Sequence, residues 1–172
     1  WEKPGPYTGE ISVDMLHAVK SSKAGAKHFD GVKNFGVTHV LAGHSDRRYK
    51  IGESDEIINK KIKAALDADI MPVLLVGEKN REDNRKAVLE QQLATDLSGL
   101  TAGQISKILI TYEPVWAIST QPDAQPDTPE NTLAALKIIE EFLRRNYKLQ
   151  ITNYKFLYGG SVNQTNVGDF LK

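Results

Sequence analysis

The chain contains no cysteine, carries no excess of charge of either sign and has no long apolar run. Without cysteine it cannot form a disulfide framework or a thiolate metal site, which fits a reducing compartment. Lys plus Arg and Asp plus Glu both number 22, so the charge balance does not indicate a nucleic acid or an anionic membrane as partner. No stretch approaches the roughly 20 apolar residues of a membrane-spanning helix, and the opening residues lack a signal-peptide pattern. We therefore expect a soluble, cytoplasmic protein.

A chain of 172 residues is long enough for one domain, spanning 1–172, that buries about 70% of the surface of the unfolded chain. Four short apolar segments predict β-strands, and helical patterns separate them. The strands are predicted at 37–42, 71–76, 108–112 and 154–158. Their nearly continuous apolar character is typical of strands buried on both faces, so we expect an α/β fold with a parallel sheet and helical crossovers.

Polar caps and apolar spacing predict the helices. Ser54 and Thr128 are both good N-cap residues, and a proline follows Thr128 at the first helical position. Leucines four apart indicate another helix over 81–98. Before the first strand, residues 4–9 predict a loop, and residues 12–35 show a broadly helical pattern with a break.

Each predicted strand ends in a polar or glycine-rich segment. These segments are Gly43-His44-Ser45, Gly77-Glu78, Glu113-Pro114 and Gly159-Gly160-Ser161. Because the carboxyl ends of parallel strands meet at one edge of the sheet, we expect all four segments to share a common site.

Glu113 stands where the third strand gives way to a loop, since Pro114 ends the extended run. Its neighbours Tyr112 and Trp116 provide partly apolar surroundings, which raise the pKa of a carboxyl group and make it a better proton acceptor near neutral pH. The alternative interpretation is a surface glutamate at the end of a strand.

His44 follows the first strand directly and is predicted to lie at the same edge. A neutral imidazole there could donate a hydrogen bond to a substrate oxygen while Glu113 moves a proton on carbon. A structural or simply exposed histidine is the alternative. Gly159-Gly160-Ser161 offers backbone N–H groups and a hydroxyl to a phosphate or another anion, although tight turns use the same residues.

Five segments together resemble the triosephosphate isomerase family, in the order in which that family carries them. They are YTGEIS at 7–12, GHSDRR at 43–48, VGE at 76–78, YEPVWAI at 112–118 and YGGSV at 158–162. The resemblance implies an eight-stranded (β/α) barrel enzyme of glycolysis and gluconeogenesis. Such an enzyme interconverts dihydroxyacetone phosphate and glyceraldehyde 3-phosphate without a cofactor or a metal.

The resemblance also implies roles for individual residues. This family is itself the standard example of a Glu base paired with a neutral His, so those roles are carried over to Glu113 and His44. The segment 114–128 would be a lid that closes over the phosphate, with the Ser119 N–H and Ser161 as phosphate contacts. Arg47 and Glu78 would belong to supporting networks on the same edge.

The chain departs from the family pattern in several places. By the family's order it lacks the first three strands, with their Asn and Lys, and the eighth strand, with its glycine pair. We therefore expect a partial (β/α) barrel of about four parallel strands. Asp46 stands where the family usually has Glu, and Ser119 and Gln121 replace lid glycines. The lid is about three residues longer, and about fifteen extra residues lie within 12–37.

The resemblance and the departures from the family pattern lead to two alternative functions. The first is an isomerase that acts on a small phosphorylated triose. The second is a catalytically impaired or inactive homologue, because a lost Lys and lost phosphate-binding amides each weaken transition-state stabilisation. The outer strands would expose unpaired backbone groups, which favours self-association into a homo-oligomer.

Overall fold

The structure is a computed structural model that describes residues 10–13, 16, 37–150 and 154–171. The loop predicted at 4–9 lies outside the described residues. So does nearly all of the helical pattern predicted at 12–35.

Within the described residues the strands form one parallel sheet in the order β1-β2-β3-β4. The strands are β1 (His39–Ala42), β2 (Met71–Val76), β3 (Leu109–Tyr112) and β4 (Phe156–Tyr158). The register pairs Ala42 with Leu74, Val76 with Tyr112, and Tyr112 with Tyr158. The predicted α/β fold with parallel strands in chain order, as in a segment of a (β/α) barrel, is confirmed.

Helices connect the strands and cover one side of the sheet. They are α1 (Ser45–Tyr49), α2 (Asp55–Asp67), α3 (Arg85–Asp96), α4 (Ala102–Ile105), α5 (Pro129–Tyr147) and α6 (Val167–Phe170), with a short 3-10 helix at Val115–Ala117. The predicted caps are confirmed, because the Ser54 side chain accepts a hydrogen bond from the Ile57 N–H and Thr128 accepts one from the Asn131 N–H.

The hydrophobic core lies between the two inner strands and the helices α2, α3 and α5. The largest buried side chains belong to apolar positions repeated three or four apart on the helices and to the inner strands. They include Ile58, Ile62, Leu74, Leu89, Leu93, Ile110, Tyr112 and Ile139. The core therefore fixes β2 and β3 most firmly, and their carboxyl ends become the most rigid part of the edge.

The prediction that every strand is buried on both faces is wrong for the two outer strands. Leu41 on β1 is 61% exposed and Leu157 on β4 is 39% exposed, whereas β2 is buried from Pro72 to Val76. The difference has a simple cause, because an outer strand has a neighbouring strand on one side only and fewer side chains pack against it.

Within the part of the chain that the structure describes, no helix combines the length and the apolar character needed to cross a lipid bilayer.

Candidate active site

Backbone hydrogen bonds continue past the ends of the strands and hold the predicted site segments together. The Glu113 N–H donates to the Val76 carbonyl at 2.8 Å, and the Gly159 N–H donates to the Tyr112 carbonyl at the same distance. Gly77 lies so close to the next segment that an added Cβ would overlap the backbone of Glu113. The carboxyl ends of β2, β3 and β4 thus form one continuous edge, as the parallel sheet predicts.

Glu113 lies in this edge with its side chain almost entirely buried, at 4% exposure. One carboxylate oxygen, Oε2, accepts a hydrogen bond from the Ser45 N–H at 2.9 Å. The other, Oε1, lies 3.2 Å from His44 Nε2. Burial raises the pKa of Glu113, because desolvation disfavours the charged form, while the Ser45 N–H and His44 act in the opposite direction. The predicted direction of this pKa shift is confirmed.

His44 is placed by its position immediately before α1. Its Nδ1 accepts a hydrogen bond from the Asp46 N–H at 3.1 Å, so the ring caps the helix. Because Nδ1 acts as an acceptor, we assign the ring proton to Nε2, the nitrogen that faces Glu113. A neutral imidazole with an Nε2–H donor therefore points into the site, and the side chain stays 36% exposed on its other side.

Glu78 is fully buried at the end of β2 and holds the base of the lid segment. Its Oε1 accepts hydrogen bonds from the Tyr112 hydroxyl at 2.7 Å, from Trp116 Nε1 at 3.0 Å and from Arg85 Nε at 3.0 Å. Three donors on one charged oxygen are a strong set of contacts. This carboxylate links β2, β3 and the 3-10 helix that begins the lid.

Ser119 and Ser161 meet in the first half of the lid segment. The Ser119 N–H donates to the Ser161 hydroxyl oxygen at 2.7 Å, and the Ser161 N–H donates to the Ala117 carbonyl at 3.2 Å. The first contact is exposed, whereas the second reaches the buried Ala117, and the residues that follow Ser119 are mostly exposed. This part of the lid segment is therefore joined to the glycine-rich turn by a small number of hydrogen bonds.

The structure brings the four predicted site residues together in two pairs, His44 with Glu113 and Ser119 with Ser161. Gly159 connects the pairs, because a Cβ added there would lie 3.3 Å from the Glu113 Cβ. The absence of a side chain at this position allows the glycine-rich turn to pass directly against the buried carboxylate.

Several site contacts could not be found from the sequence. The Ser45 N–H that binds Glu113 belongs to a helix whose five residues are mostly polar and show no apolar spacing. Arg47, expected in a supporting network, pairs with Glu53 and Glu10, and the Arg47 to Glu10 distance is 2.9 Å. Helix α4 was also missed, although Thr101 and Gln104 form a capping box, which is a recognisable signal.

The geometry suits proton transfer. A buried carboxylate with a raised pKa lies beside an imidazole whose Nε2, assigned the ring proton, is 3.2 Å from it. Such a pair can take a proton from carbon and polarise an adjacent oxygen on one small molecule. Among the residues that the structure describes, no three His, Asp or Glu side chains lie close enough together to hold a metal ion.

Comparison with known proteins gives a consistent family assignment. A family model described as triosephosphate isomerase matches residues 20–172. Triosephosphate isomerases from Endomicrobium trichonymphae, Dictyoglomus thermophilum and Aquifex aeolicus are each 40% identical to the chain. These alignments cover 99% to 100% of this chain but only 62% to 63% of the relatives. The chain thus spans somewhat less than two thirds of the length of the curated relatives it matches.

Proposed function

Because the chain belongs to the triosephosphate isomerase family, we propose that it interconverts dihydroxyacetone phosphate and glyceraldehyde 3-phosphate. In this proposal Glu113 is the base that moves a proton between two adjacent carbons, and His44 donates its Nε2–H to the substrate oxygens. The 3.2 Å contact between the two side chains is the single observation that supports it most strongly. The reaction belongs to glycolysis and gluconeogenesis, and we place it in the cytoplasm.

The buried carboxylate must move for this reaction to proceed. Reacting atoms need to lie about 3 to 3.5 Å from each catalytic group, and the present His44 to Glu113 contact leaves no space for a carbon atom between them. Substrate therefore displaces Glu113 from the Ser45 N–H toward the carbon. A substrate oxygen then takes the place of the carboxylate beside His44 and accepts its Nε2–H.

The phosphate group is proposed to bind at the second pair. The Ser119 N–H already donates to the Ser161 hydroxyl, so a phosphate oxygen competes for that N–H. The hydroxyl can rotate and donate to the phosphate in turn, because a serine hydroxyl is both donor and acceptor. Closing the lid segment over the phosphate would exclude water from the reacting carbons.

A coupled isomerase assay tests the proposal directly. Glu113→Gln keeps the size of the side chain and an acceptor for the Ser45 N–H but removes the base, so we expect the rate to fall by roughly 10²- to 10⁴-fold. Glu141→Gln is the matched control, because Glu141 is an exposed residue of α5, and its activity should equal that of the unaltered chain.

Equal activity in the unaltered chain and the Glu113→Gln variant would contradict the proposed role of Glu113. If neither has measurable activity, the alternative function applies, which is an impaired or inactive homologue that self-associates. Sedimentation at micromolar concentration then decides whether the chain forms an oligomer.

A further inference from the structure

Arg48 is a buried cation that the proposed chemistry does not use. Its side chain is only 7% exposed, and it donates hydrogen bonds to four acceptors. Nε binds the Gly43 carbonyl at 2.7 Å, one terminal nitrogen binds the Leu75 carbonyl at 3.1 Å and Asp96 Oδ2 at 2.8 Å, and the other binds Asp55. A planar guanidinium with five N–H groups is the only side chain that can serve this set.

Two of those acceptors are backbone carbonyls at the end of the sheet. The last pair between β1 and β2 joins Ala42 to Leu74, so Gly43 and Leu75 lie one residue beyond it. Buried carbonyls at such a position need a donor. Arg48 donates to both carbonyls and thereby joins the ends of β1 and β2 immediately before His44.

Gly43 is shaped for this contact. Its φ of +84° lies in the left-handed region, and an added Cβ would lie 2.7 Å from a terminal nitrogen of Arg48 and 2.7 Å from the Leu75 carbonyl oxygen. The guanidinium thus fills the space that glycine leaves. His44 is the next residue, so the direction in which the chain leaves β1 depends on the contact between Gly43 and the Arg48 guanidinium.

The backbone and the side chain of Arg48 together hold α1 against β1. The Arg48 N–H donates to the His44 carbonyl at 3.0 Å, while the Arg48 guanidinium returns to the Gly43 carbonyl. These two bonds fix the first turn of α1 relative to the strand. That turn contains the Asp46 N–H, which binds His44 Nδ1 and keeps the ring proton on Nε2.

Asp96 and Asp55 fix the guanidinium from the opposite side. Asp96 is fully buried at the end of α3, and Asp55 begins α2. A charge-assisted pair in a buried setting has defined geometry and little freedom to rotate. The chain of contacts therefore runs from α3 through Arg48 to Gly43 and the ring of His44.

We propose that Arg48, held by Asp96, is a positioning residue that fixes the tautomer and orientation of His44. Its catalytic consequence rests on the proposed isomerase function, whereas its effect on the ring does not. A lysine at position 48 keeps the charge but has no Nε donor for Gly43, so the ring loses its fixed orientation.

Nitrogen-15 NMR of the histidine rings at pH 8 tests this inference without any need for turnover. In the unaltered chain we expect His44 to show a protonated Nε2 and an unprotonated Nδ1. In Arg48→Lys the two nitrogen shifts should move toward each other, because both tautomers become populated. Arg47→Lys is the matched control, since Arg47 precedes Arg48 on α1 but its side chain, within the described residues, pairs with the carboxylates of Glu10 and Glu53, and the His44 shifts in this variant should stay unchanged.

Unchanged His44 shifts in a folded Arg48→Lys variant would overturn the proposal, and so would an equal change in Arg47→Lys. If Arg48→Lys does not fold, Asp96→Asn decides, because it keeps the Gly43 contact but replaces a charged partner of the guanidinium with a neutral acceptor. In Asp96→Asn, a smaller convergence of the two nitrogen shifts supports the proposal, and the absence of any convergence contradicts it.

If the chain is active, kcat of Arg48→Lys should fall roughly tenfold or more at constant KM. If the chain is inactive, only the proposed isomerase function fails, and the NMR result still tests the role of Arg48.

Discussion

The two halves of the candidate site are held in different ways. Around Glu113 and Glu78, the contacts are buried and involve charged groups and strand ends. Around Ser119 and Ser161, a few hydrogen bonds between neutral groups lie near the solvent. The first half carries the groups that would perform the chemistry, and the second carries those that would bind the phosphate.

This difference separates rigidity from adaptability within one site. Buried charged networks tolerate little displacement unless a new partner replaces the lost one, as substrate does in the proposed movement of Glu113, since an unpaired buried group costs free energy. Exposed hydrogen bonds exchange readily with water or ligand, and lid segments come from regions of low local stability. Changes in the buried half should therefore affect folding and activity together, and changes in the exposed half should affect ligand binding with little change in folding.

The largest expected effect comes from Gly77→Ala in the buried half. An added Cβ would lie 2.5 Å from the Glu113 carbonyl carbon and would overlap its oxygen. The backbone cannot yield easily, because the Gly77 N–H and carbonyl both bind the buried side-chain amide of Gln92. We expect a loss of about 3 kcal/mol in the free energy of unfolding, measured by urea titration.

Gly103→Ala is the control for that substitution. Gly103 lies in α4 with no heavy atom within 4 Å of an added Cβ, so the same chemical change should leave stability unchanged or raise it. Equal unfolding midpoints for the two variants would mean that the end of β2 is less constrained than its contacts indicate.

Much of the rigid half could be predicted from the sequence because its signals are local. The bounds of β2 match the prediction at both ends, and the caps at Ser54 and Thr128 were correct. The meeting of His44 and Glu113 followed from one argument, that parallel strands end at a common edge. Local patterns and one rule of topology were sufficient for these features.

The remaining features depend on contacts between distant parts of the chain. Arg48 and Asp96 are 48 positions apart, and nothing in the neighbourhood of either residue predicts an ion pair. The direct bond between Ser119 and Ser161 likewise depends on how two loops approach each other. The sequence identifies β1 and β4 as outer strands by their order, but their apolar composition alone does not show that side chains on their faces are exposed.

In the buried half, a change of pH is expected to alter the free energy of unfolding by less than Gly77→Ala does. Burial raises the pKa of Asp96 to about 7, although Arg48 opposes the shift. The folded chain then binds a proton that the unfolded chain releases near its ordinary pKa of 3.8. The contribution of Asp96 to stability is therefore fully present below 3.8 and is lost as the pH rises through 7. Between pH 6 and 8 we expect the free energy of unfolding to fall by about 1 kcal/mol.

Asp96→Asn isolates this contribution, since asparagine does not titrate. The difference in unfolding free energy between the unaltered chain and the variant should change with pH over the same window, with the unaltered chain relatively weaker at pH 8. A constant difference from pH 6 to 8 would show that Asp96 does not titrate in this range.

The smallest effect on folding is expected from Ser161→Ala in the exposed half. The variant removes the acceptor of the Ser119 N–H, and an exposed hydrogen bond of this kind contributes about 0.5 kcal/mol or less to folding. The unfolding midpoint should hardly move, whereas hydrogen exchange at the Ser119 amide should accelerate by roughly two- to fivefold. In an active chain KM for the triose phosphate should rise while the effect on kcat stays smaller.

Ser106→Ala provides the comparison. The Ser106 hydroxyl also makes one exposed backbone contact, to the Gly103 carbonyl at 2.9 Å, and its removal should alter neither KM nor exchange at Ser119. A large loss of stability in Ser161→Ala would place this serine with the rigid half of the site and remove the distinction between the two.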